Sequence, residues 1–327
     1  MSVPADRDSI ERLLALPRLP LVAAPTPIED LSRLRTAVGA SSTLLVKRDD
    51  AIPFGFGGNK IRKLQVVAAH AIEAGADVLI TCGGVQSNHA RATAAVAARM
   101  GLGCVLVANG VPPATPTANA LLDRLLGAEV HYVPSREARA PAMEQIAGEL
   151  RAQGHRPFVI PLGASTPLGA TAYAMAIGEM LEQISPPDLI VLATSSGGTQ
   201  AGLIAGCRLH GLRTRVLGIS ADDPSAAIAG EIRRILAGIE TLMGAPAGAL
   251  APPRIEVDDG FVGEGYGVPT AQSTEAIELC ARTEALFLDP TYTAKAMAAL
   301  IAKARAREIA GTTLFWHTGG QVGLFAA

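Results

Sequence analysis

A glycine-rich loop that leads into a helical pattern is the first place in the sequence where covalent chemistry could occur. The loop reads FGFGGNKIRK over residues 54–63 and places Lys60 at or beside the first turn of the helix. The positive end of the helix dipole favours a neutral, nucleophilic amine, which is the form that Schiff-base chemistry requires. The alternative interpretation is that Lys60 and Lys63 lie on an ordinary solvated turn.

A second polar turn follows a predicted strand and reads TCGGVQSNHARAT over residues 81–93. Ser87, Asn88 and His89 stand where the strand ends and a helix begins. Open α/β sheets place ligands at such turns, where free backbone N–H groups and polar side chains can bind a carboxylate. On the alternative interpretation, Ser87 or Asn88 only caps the helix.

A third turn, ATSSGGTQAG over residues 193–202, has the composition of an anion site. Its small residues allow backbone amides to converge, and Ser196 and Thr199 add hydroxyls, so the segment predicts a phosphate site. It lacks both the Gly-Lys-Ser/Thr ending of a P-loop and the GxGxxG spacing of dinucleotide-binding loops. A glycine-rich turn without a ligand is the alternative.

Two short segments near the C-terminal end are the remaining candidates for a role in the chemistry. They read DPTYTAK over residues 289–295 and WHTGG over residues 316–320. Tyr292 is one of four tyrosines in the chain, and the hydroxyl of Thr318, just after a predicted strand, could meet a ring nitrogen. Taken singly, they are also consistent with a core phenol and a turn hydroxyl, and His317 is interpreted as a structural histidine.

The elements that must position these segments alternate between strands and helices. Short β-branched runs predict mostly parallel, buried strands, and Ala-rich segments predict helices, several of them ended by Gly75, Gly101 or Gly127. The predicted strands are residues 43–46, 78–81, 104–108, 130–133, 158–160, 189–192, 216–219 and 313–316, and the predicted helices are residues 63–74, 90–100, 118–126, 142–153 and 202–209. This alternation predicts an α/β fold with open, mostly parallel sheets and helices on both faces.

The length of 327 residues predicts two lobes, because one hydrophobic core rarely grows beyond about 250 to 300 residues. Interruptions near residues 49–58 and 162–168 predict a small domain over 51–164 and a large domain formed by 1–50 with 165–327. The Gly- and Pro-rich stretch 244–253 is predicted to be a surface loop.

The composition and net charge indicate which kinds of molecule the protein can bind. A hydrophobic content of 49% with 18% charged residues excludes a disordered chain. The net charge of −2 provides no positive field for nucleic acid or an anionic membrane, so a small molecule is the expected partner. The four cysteines lack metal-ligand spacing and are predicted to be reduced, buried thiols without a metal. The sequence contains no signal peptide or spanning pattern, and a cytoplasmic location is expected.

In this order, the segments resemble those of the fold type II pyridoxal-phosphate enzymes, which are similar to the tryptophan synthase β chain. The similarity is to the group that contains D-cysteine desulfhydrase and 1-aminocyclopropane-1-carboxylate deaminase. It rests on PTPIEDL at 25–31, VKRDD at 46–50, GGNKIRK at 57–63, VQSNHAR at 85–91, and the later LDPTYTAKA and HTGG. It covers nearly the whole chain and implies pyridoxal 5'-phosphate as cofactor.

The resemblance implies roles for the residues at matching positions. Lys60 would bind the cofactor covalently and move the proton at the substrate α carbon, while Asn88 would bond the cofactor's phenolate oxygen. Thr318 would partner the pyridine nitrogen, and a neutral hydroxyl there favours β-elimination over transamination. The implied phosphate ligands are Lys63, Ser196, Gly197, Gly198 and Thr199. The implied ligands of the substrate carboxylate are Ser87, Asn88 and His89. The implied catalytic residues are Lys60, Ser87, Tyr266 and Tyr292.

Two positions favour one activity within the group. The deaminases usually carry a glutamate after the tyrosine matched by Tyr292 and a glutamine at the position of His89, whereas this chain has Thr293 and His89. The resemblance therefore implies α,β-elimination from a small β-substituted amino acid, first of all D-cysteine, giving pyruvate, ammonia and sulfide. The alternatives are the deaminase, a cysteate sulfo-lyase-like enzyme and a non-catalytic ligand-binding module. The family also implies a homodimer.

The chain departs from the family pattern at five positions. Ala164, Thr166 and Ala172 replace a glycine, an asparagine and a glycine, while Ala92 replaces a glutamine and Ala294 a glycine. These positions are expected near the substrate side of the site.

Overall fold

The computed structural model describes residues 6–326, which form two sheets. One sheet contains β1 (Ile28–Asp30), β2 (Thr43–Arg48), β7 (Leu189–Thr194), β8 (Arg215–Ser220), β9 (Glu256–Asp258) and β10 (Thr312–His317). Its order is β1-β2-β10-β7-β8-β9, and its neighbouring strands are parallel except for β1 and β2. The other contains β3 (Val78–Gly84), β4 (Gly103–Asn109), β5 (Glu129–Val133) and β6 (Pro157–Val159), in the parallel order β5-β4-β3-β6.

Helices cover both faces of the six-stranded sheet. The helices of the chain are α1 (Arg7–Leu14), α2 (Ser32–Val38), α3 (Asn59–Glu73), α4 (Asn88–Met100), α5 (Ala118–Leu125), α6 (Arg139–Ala152), α7 (Pro167–Leu181), α8 (Gly198–Leu209), α9 (Ser225–Met243), α10 (Ala271–Glu284) and α11 (Thr293–Arg305). On β7, Ile190 and Leu192 pack in a core with α7, α8 and α9, whereas Leu189 and Val191 pack with α2, α10 and α11. Because alternate side chains point to opposite faces, a strand covered on both sides reads as one apolar run.

The predicted fold class is confirmed. All eight predicted strands and all five predicted helices are present, and the expected glycines follow α3, α4 and α5 in the left-handed backbone conformation. Residues 244–253 form a loop, as predicted. The short strands β1 and β9 and the helices α1, α2, α7, α9, α10 and α11 were not among the predicted elements. The domain division at residues 51 and 164 stays a prediction.

The carboxylate of Asp49 joins distant parts of the chain through hydrogen bonds. Asp49 is fully buried, and its Oδ1 accepts hydrogen bonds from Thr26 Oγ1 at 3.0 Å and Arg62 Nε at 2.9 Å. Its Oδ2 accepts from the Tyr173 hydroxyl at 2.6 Å and from Trp316 Nε1 at 2.8 Å. A buried charge is stable only when it is paired and hydrogen-bonded, and Asp49 has an ion pair with Arg62 and three neutral donors. This network fixes α3, which carries Lys60, against β10.

Among residues 6–326, no helix is long and apolar enough to cross a membrane. The same residues contain no cluster of His, Cys, Asp and Glu side chains that could hold a metal ion. The four cysteines are buried free thiols, as the sequence predicts.

Candidate active site

Strands from both sheets end at a cavity of about 370 Å³. Its walls come from the turns after β3, β7, β8 and β10 and from the first turn of α3. In open α/β sheets this carboxyl edge of the strands is where ligands bind. The structure brings all twelve predicted site residues to this cavity, namely Lys60, Lys63, Ser87, Asn88, His89, Ser196, Gly197, Gly198, Thr199, Tyr266, Tyr292 and Thr318.

Lys60 lies in the first turn of α3, which begins four residues earlier than the sequence predicted. Its Nζ is 2.9 Å from Asn59 Oδ1. Burial, together with the positive charge of Arg91, lowers the pKa of Lys60 to about 8. Gly58 directly precedes the helix and has a φ of +94°, which favours glycine. An added Cβ on Gly58 would also be only 2.9 Å from the carbonyl oxygen of Thr318. A substantial fraction of Lys60 is therefore a neutral amine near pH 8.

An anion cradle stands at the start of α8. Lys63 is 1% exposed, and its Nζ donates to Gly163 O at 3.2 Å and Ser165 Oγ at 3.0 Å. The hydroxyls of Ser165 and Ser196 are 2.7 Å apart. At Gly198 an added Cβ would be 2.6 Å from Ser165 Oγ, so no larger residue fits. Free N–H groups of a 12-residue helix, two hydroxyls and a buried ammonium form a site for a phosphate.

The turn after β3 holds its polar residues in defined orientations. Ser87 is the N-cap of α4, and its Oγ accepts from Ala90 N at 3.2 Å, so it caps the helix and also lines the cavity. His89 Nε2 is 2.8 Å from Thr81 Oγ1, whose proton goes to Ile160 O. The Nε2 atom of His89 is therefore the donor in this pair. Burial, with the charges of Lys60 and Lys63, holds the pKa of His89 well below 6.5, and its imidazole is neutral.

Two tyrosines face each other across the mouth of the cavity. The hydroxyls of Tyr266 and Tyr292 are 2.5 Å apart, and their rings meet edge to face with centroids 5.7 Å apart. Burial and the neighbouring Tyr266 raise the pKa of Tyr292 well above 10, and burial also raises the pKa of Tyr266. Both phenols are neutral at physiological pH and can donate a proton.

The comparisons with known proteins agree with this geometry. The family model described as "Pyridoxal-phosphate dependent enzyme" matches residues 19–319. The chain belongs to this family. It is 38% identical over 331 residues to the D-cysteine desulfhydrase of Klebsiella pneumoniae (strain 342), covering 97% of this chain and 98% of that protein. The D-cysteine desulfhydrase of Salmonella schwarzengrund (strain CVM19633) is also 38% identical, over 329 residues with the same coverage. A crystal structure of an "ACC deaminase homologue" has a TM-score of 0.91 and 34% identity and covers 98% of this chain and 96% of its own.

The residues of this pyridoxal-phosphate dependent enzyme fit its cofactor. The ammonium of Lys63 is buried, and its hydrogen-bond partners among residues 6–326 are neutral oxygens. Burial and the nearby charge of Lys60 hold the pKa of Lys63 well below 10.5. A dianionic phosphate in the cradle would supply the opposite charge that Lys63 lacks and would raise this pKa.

Sequence reasoning missed the residues that orient Asn88 in this pyridoxal-phosphate dependent enzyme. Asn88 Oδ1 accepts from Asn119 Nδ2 at 2.9 Å and lies 3.4 Å from Arg91 Nη2. Asn119 is 1% exposed and also binds Gln86 through its backbone N–H at 2.9 Å. Because Oδ1 of Asn88 already accepts hydrogen bonds, its Nδ2 atom remains as a donor to other partners. This Nδ2 atom lies 3.1 Å from the position that a Cβ on Gly320 would occupy. No local pattern indicates a contact between residues that are 31 positions apart.

A charged group at the cavity mouth was also absent from the predictions. Arg136, before α6, forms an ion pair with Asp222, just after β8. Its guanidinium carbon is 5.1 Å from the centroid of the Tyr266 ring, within the range of a cation–π contact. Arg139, which also lines the cavity, donates to Arg136 O at 3.0 Å and is 3.4 Å from Asn109 Oδ1. Arg136 thus links the turns that follow strands of the two sheets.

The expectation that the five substituted positions lie near the substrate side of the site stays a prediction. Ala92, Ala164, Thr166, Ala172 and Ala294 are not among the residues that line the cavity in the described chain. Four of them are alanines that are at most 1% exposed, and Thr166 caps α7 by accepting from Gly169 N at 3.0 Å. Leu162 and Gly163 are the residues through which this segment reaches the cavity.

Thr293 is also outside the cavity lining. Its Oγ1 donates to Asp289 Oδ1 at 2.7 Å and accepts from Asp289 N at 2.8 Å. The carboxylate of Asp289 also accepts from the backbone N–H groups of Thr291, Tyr292 and Thr293. Thr293 and Asp289 therefore fix the turn that carries Tyr292.

Proposed function

We propose that this enzyme removes the β substituent of a small amino acid by α,β-elimination, with D-cysteine as the first candidate substrate and pyruvate, ammonia and sulfide as products. The observation that carries the proposal is the shared cavity: the Lys60 amine, the anion cradle and the paired phenols of Tyr266 and Tyr292 all line it. The 38% identity to two D-cysteine desulfhydrases supports the substrate class.

The chain offers pyridoxal phosphate four points of attachment. Ser196, Gly197, Gly198 and Thr199 would bind the phosphate together with Lys63, at the N–H groups that begin α8. The Nδ2 of Asn88 would donate to the phenolate oxygen, and the hydroxyl of Thr318 would partner the ring nitrogen. Lys60 would be the covalent anchor. When bound, pyridoxal phosphate supplies an electron-accepting ring that stabilises negative charge at the substrate α carbon.

Substrate binding and the first proton transfer belong to different residues. Ser87, Asn88 and the neutral His89 bind the substrate carboxylate at the positive end of α4. The neutral Lys60 amine would take the α proton of the bound substrate. Because its pKa is about 8, Lys60 is close to the pH at which a general base works best.

Departure of the sulfur requires a proton. Tyr292 is neutral, partly buried and hydrogen-bonded to Tyr266, so it can donate to the leaving thiolate while Tyr266 holds the phenol in place. Tyr292 is the acid in this assignment, and Tyr266 and Ser87 complete the catalytic set. Overall, one water is consumed for each substrate converted to pyruvate, ammonia and hydrogen sulfide.

Two other activities have support from particular observations. The similarity to the "ACC deaminase homologue" favours ring-opening deamination of the aminocyclopropane acid. The guanidiniums of Arg136 and Arg139 line the cavity, and the acceptors of Arg139 are neutral oxygens among the described residues. An anionic β substituent such as the sulfonate of cysteate would pair with Arg139.

The deciding experiment supplies D-cysteine, L-cysteine, cysteate and the aminocyclopropane acid separately to the loaded enzyme and measures pyruvate, 2-oxobutanoate, sulfide and sulfite. Sulfide and pyruvate from D-cysteine support the proposal. 2-Oxobutanoate identifies the deaminase instead, and sulfite identifies the sulfonate lyase. Lys60→Ala must abolish product formation, whereas the matched control Lys303→Ala, at a partly exposed position of α11, must not. If borohydride fixes no cofactor on wild-type Lys60, the chain is a non-catalytic binding module.

A homodimer, a cytoplasmic location and the domain boundaries complete the proposal. They rest on the family resemblance and on the sequence. Sedimentation of the loaded enzyme at two concentrations measures the first of them directly.

A further inference from the structure

Lys295 is a buried cation that the proposed chemistry does not use. It lies in the first turn of α11 and is 0% exposed. Its Nζ donates to Val262 O at 2.7 Å and to Gly265 O at 2.8 Å, and Ala221 O is 3.4 Å away. Among residues 6–326, its hydrogen-bond partners are all backbone carbonyls. Asp222 and Asp289 attract it from a greater distance.

The three carbonyls belong to segments that carry cavity residues. Ala221 directly follows β8 and precedes Asp222, the ion-pair partner of Arg136. Val262 and Gly265 lie in the loop between β9 and α10, immediately before Tyr266. Lys295 itself is three residues after Tyr292. One ammonium therefore ties the Asp222 turn and the Tyr266 loop to the helix that follows Tyr292.

This arrangement has the chemistry of a cation site. A set of backbone carbonyl oxygens around a single positive charge is the arrangement that replaces the hydration shell of a monovalent ion such as K⁺. A buried charge is costly unless its hydrogen bonds are satisfied, and an ammonium has three donors for three acceptors. Gly265, whose carbonyl is one of the three acceptors, has a φ of +142° and nothing within 4 Å of the place where its Cβ would be.

We propose that Lys295 is a positioning residue that serves as an internal cation, holding the Tyr266 loop so that Tyr266 meets Tyr292, and thereby makes the enzyme independent of dissolved monovalent cations. The proposal goes beyond the proposed function because it does not depend on which substrate is turned over. It predicts that removal of the Lys295 side chain converts the carbonyl set into a site for an external cation.

The test compares Lys295→Met and Lys295→Ala with the control Lys303→Met. Lys303 lies on the same helix but is partly exposed and pairs with Asp258 at 3.0 Å. Each holoenzyme is measured in tetramethylammonium chloride, which is too large for the site, and then with added KCl or propylammonium chloride. Propylammonium replaces the atoms that the change from lysine to alanine removes. The readouts are the melting temperature, which needs no substrate, and kcat and KM for any amino acid that is turned over.

Wild type and Lys303→Met are expected to have the same kcat in every salt. Lys295→Met is expected to lose about 10- to 100-fold in kcat in tetramethylammonium, since a displacement of about 1 Å at a catalytic group has effects of this size. Added K⁺ should restore part of this loss with a saturable dependence and raise the melting temperature. For Lys295→Ala, propylammonium should do the same.

Three results would overturn the proposal: saturable activation of the wild type by K⁺, wild-type kcat in a Lys295 variant in tetramethylammonium, or a folded Lys295 variant that responds to neither cation. If Lys295→Met does not fold, the yield of folded Lys295→Ala decides. A yield that rises only with propylammonium or K⁺ supports the internal cation, and a yield independent of both contradicts it. A failure of D-cysteine as substrate leaves the melting data intact, so the two proposals fail separately.

Discussion

Replacing Asn119 by alanine tests whether the orientation of Asn88 controls cofactor binding. Asn119 does not line the cavity, but its Nδ2 donates to Asn88 Oδ1 at 2.9 Å from a site that is 1% exposed. A neutral hydrogen bond contributes about 1 kcal/mol net, which corresponds to about a fivefold change in an equilibrium constant. The released amide can also rotate and present its oxygen to the phenolate. We therefore expect the dissociation constant for pyridoxal phosphate to rise about five- to tenfold.

The assay is a spectrophotometric titration of the cofactor-free protein with pyridoxal phosphate, repeated for Asn88→Ala and for the double variant. Because Asn119 is argued to act through Asn88, Asn119→Ala should have less than about a twofold effect once Asn88 is alanine. Gln86→Ala is the matched control. It removes the bond between Gln86 Oε1 and the backbone of Asn119 but leaves the Asn119–Asn88 bond in place.

The reasoning is refuted if Asn119→Ala weakens binding equally in both backgrounds, because its effect would then not pass through Asn88. It is also refuted if Gln86→Ala weakens binding as much as Asn119→Ala does. In that case the anchoring of the turn, and not the direction of the amide, would determine affinity.

Three further outcomes follow from the site. The pKa of Lys60 is lowered to about 8, so its amine loses its proton near pH 8. The rate of covalent attachment of pyridoxal phosphate, followed by stopped-flow absorbance, should therefore rise with pH and level off above pH 8. A rate that continues to rise up to pH 10.5 contradicts this pKa. Tyr292→Phe removes the proposed acid and should lower kcat about 100-fold with KM changed little, whereas an equal loss with a substrate whose leaving group needs no proton contradicts this role. Gly320→Ala should destabilise the protein by about 2 kcal/mol in denaturant unfolding, because the φ of Gly320 is +98° and an added Cβ would be 2.8 Å from the Asp289 carboxylate. Gly248→Ala is the control for the backbone contribution, since Gly248 has a φ of +81° but open space around its Cβ position. Equal losses of stability in the two variants contradict a collision with Asp289.

The sequence predicted the elements whose patterns are local. Strands such as β7 have apolar residues on both faces, and the helices α3 to α5 end at glycines, so both appear as continuous signals. The strands β1 and β9 have three residues each and contain acidic residues, so neither forms an apolar run, whereas the equally short β6 contains Phe158 and Val159. Helix starts were placed about four residues late at α3 and α8 because their first turns consist of polar or small cavity residues, which interrupt the apolar pattern.

The site was predictable wherever a motif was contiguous, and all twelve residues reach one cavity. Residues that act across the chain were not predictable. Asn119 contacts Asn88, Arg136 contacts Asp222 and Lys295 contacts Gly265, over separations of 31, 86 and 30 residues. No spacing rule connects such pairs, because their proximity is created by the packing of the sheets. Conversely, Thr293 is next to Tyr292 in sequence but is not part of the cavity lining in the described chain.

The place of β10 in the sheet has a consequence for how the chain is made. This strand is last in sequence, yet it lies between β2 and β7, and its Trp316 supplies a donor to the buried Asp49. While a ribosome is still synthesising residues 312–317, the two halves of the sheet have no common neighbour and Asp49 lacks one of its partners. The six-stranded sheet can close only after residues 312–317 have left the exit tunnel. The emergence of β10, and not the gradual emergence of the N-terminal part, therefore sets when this sheet can fold.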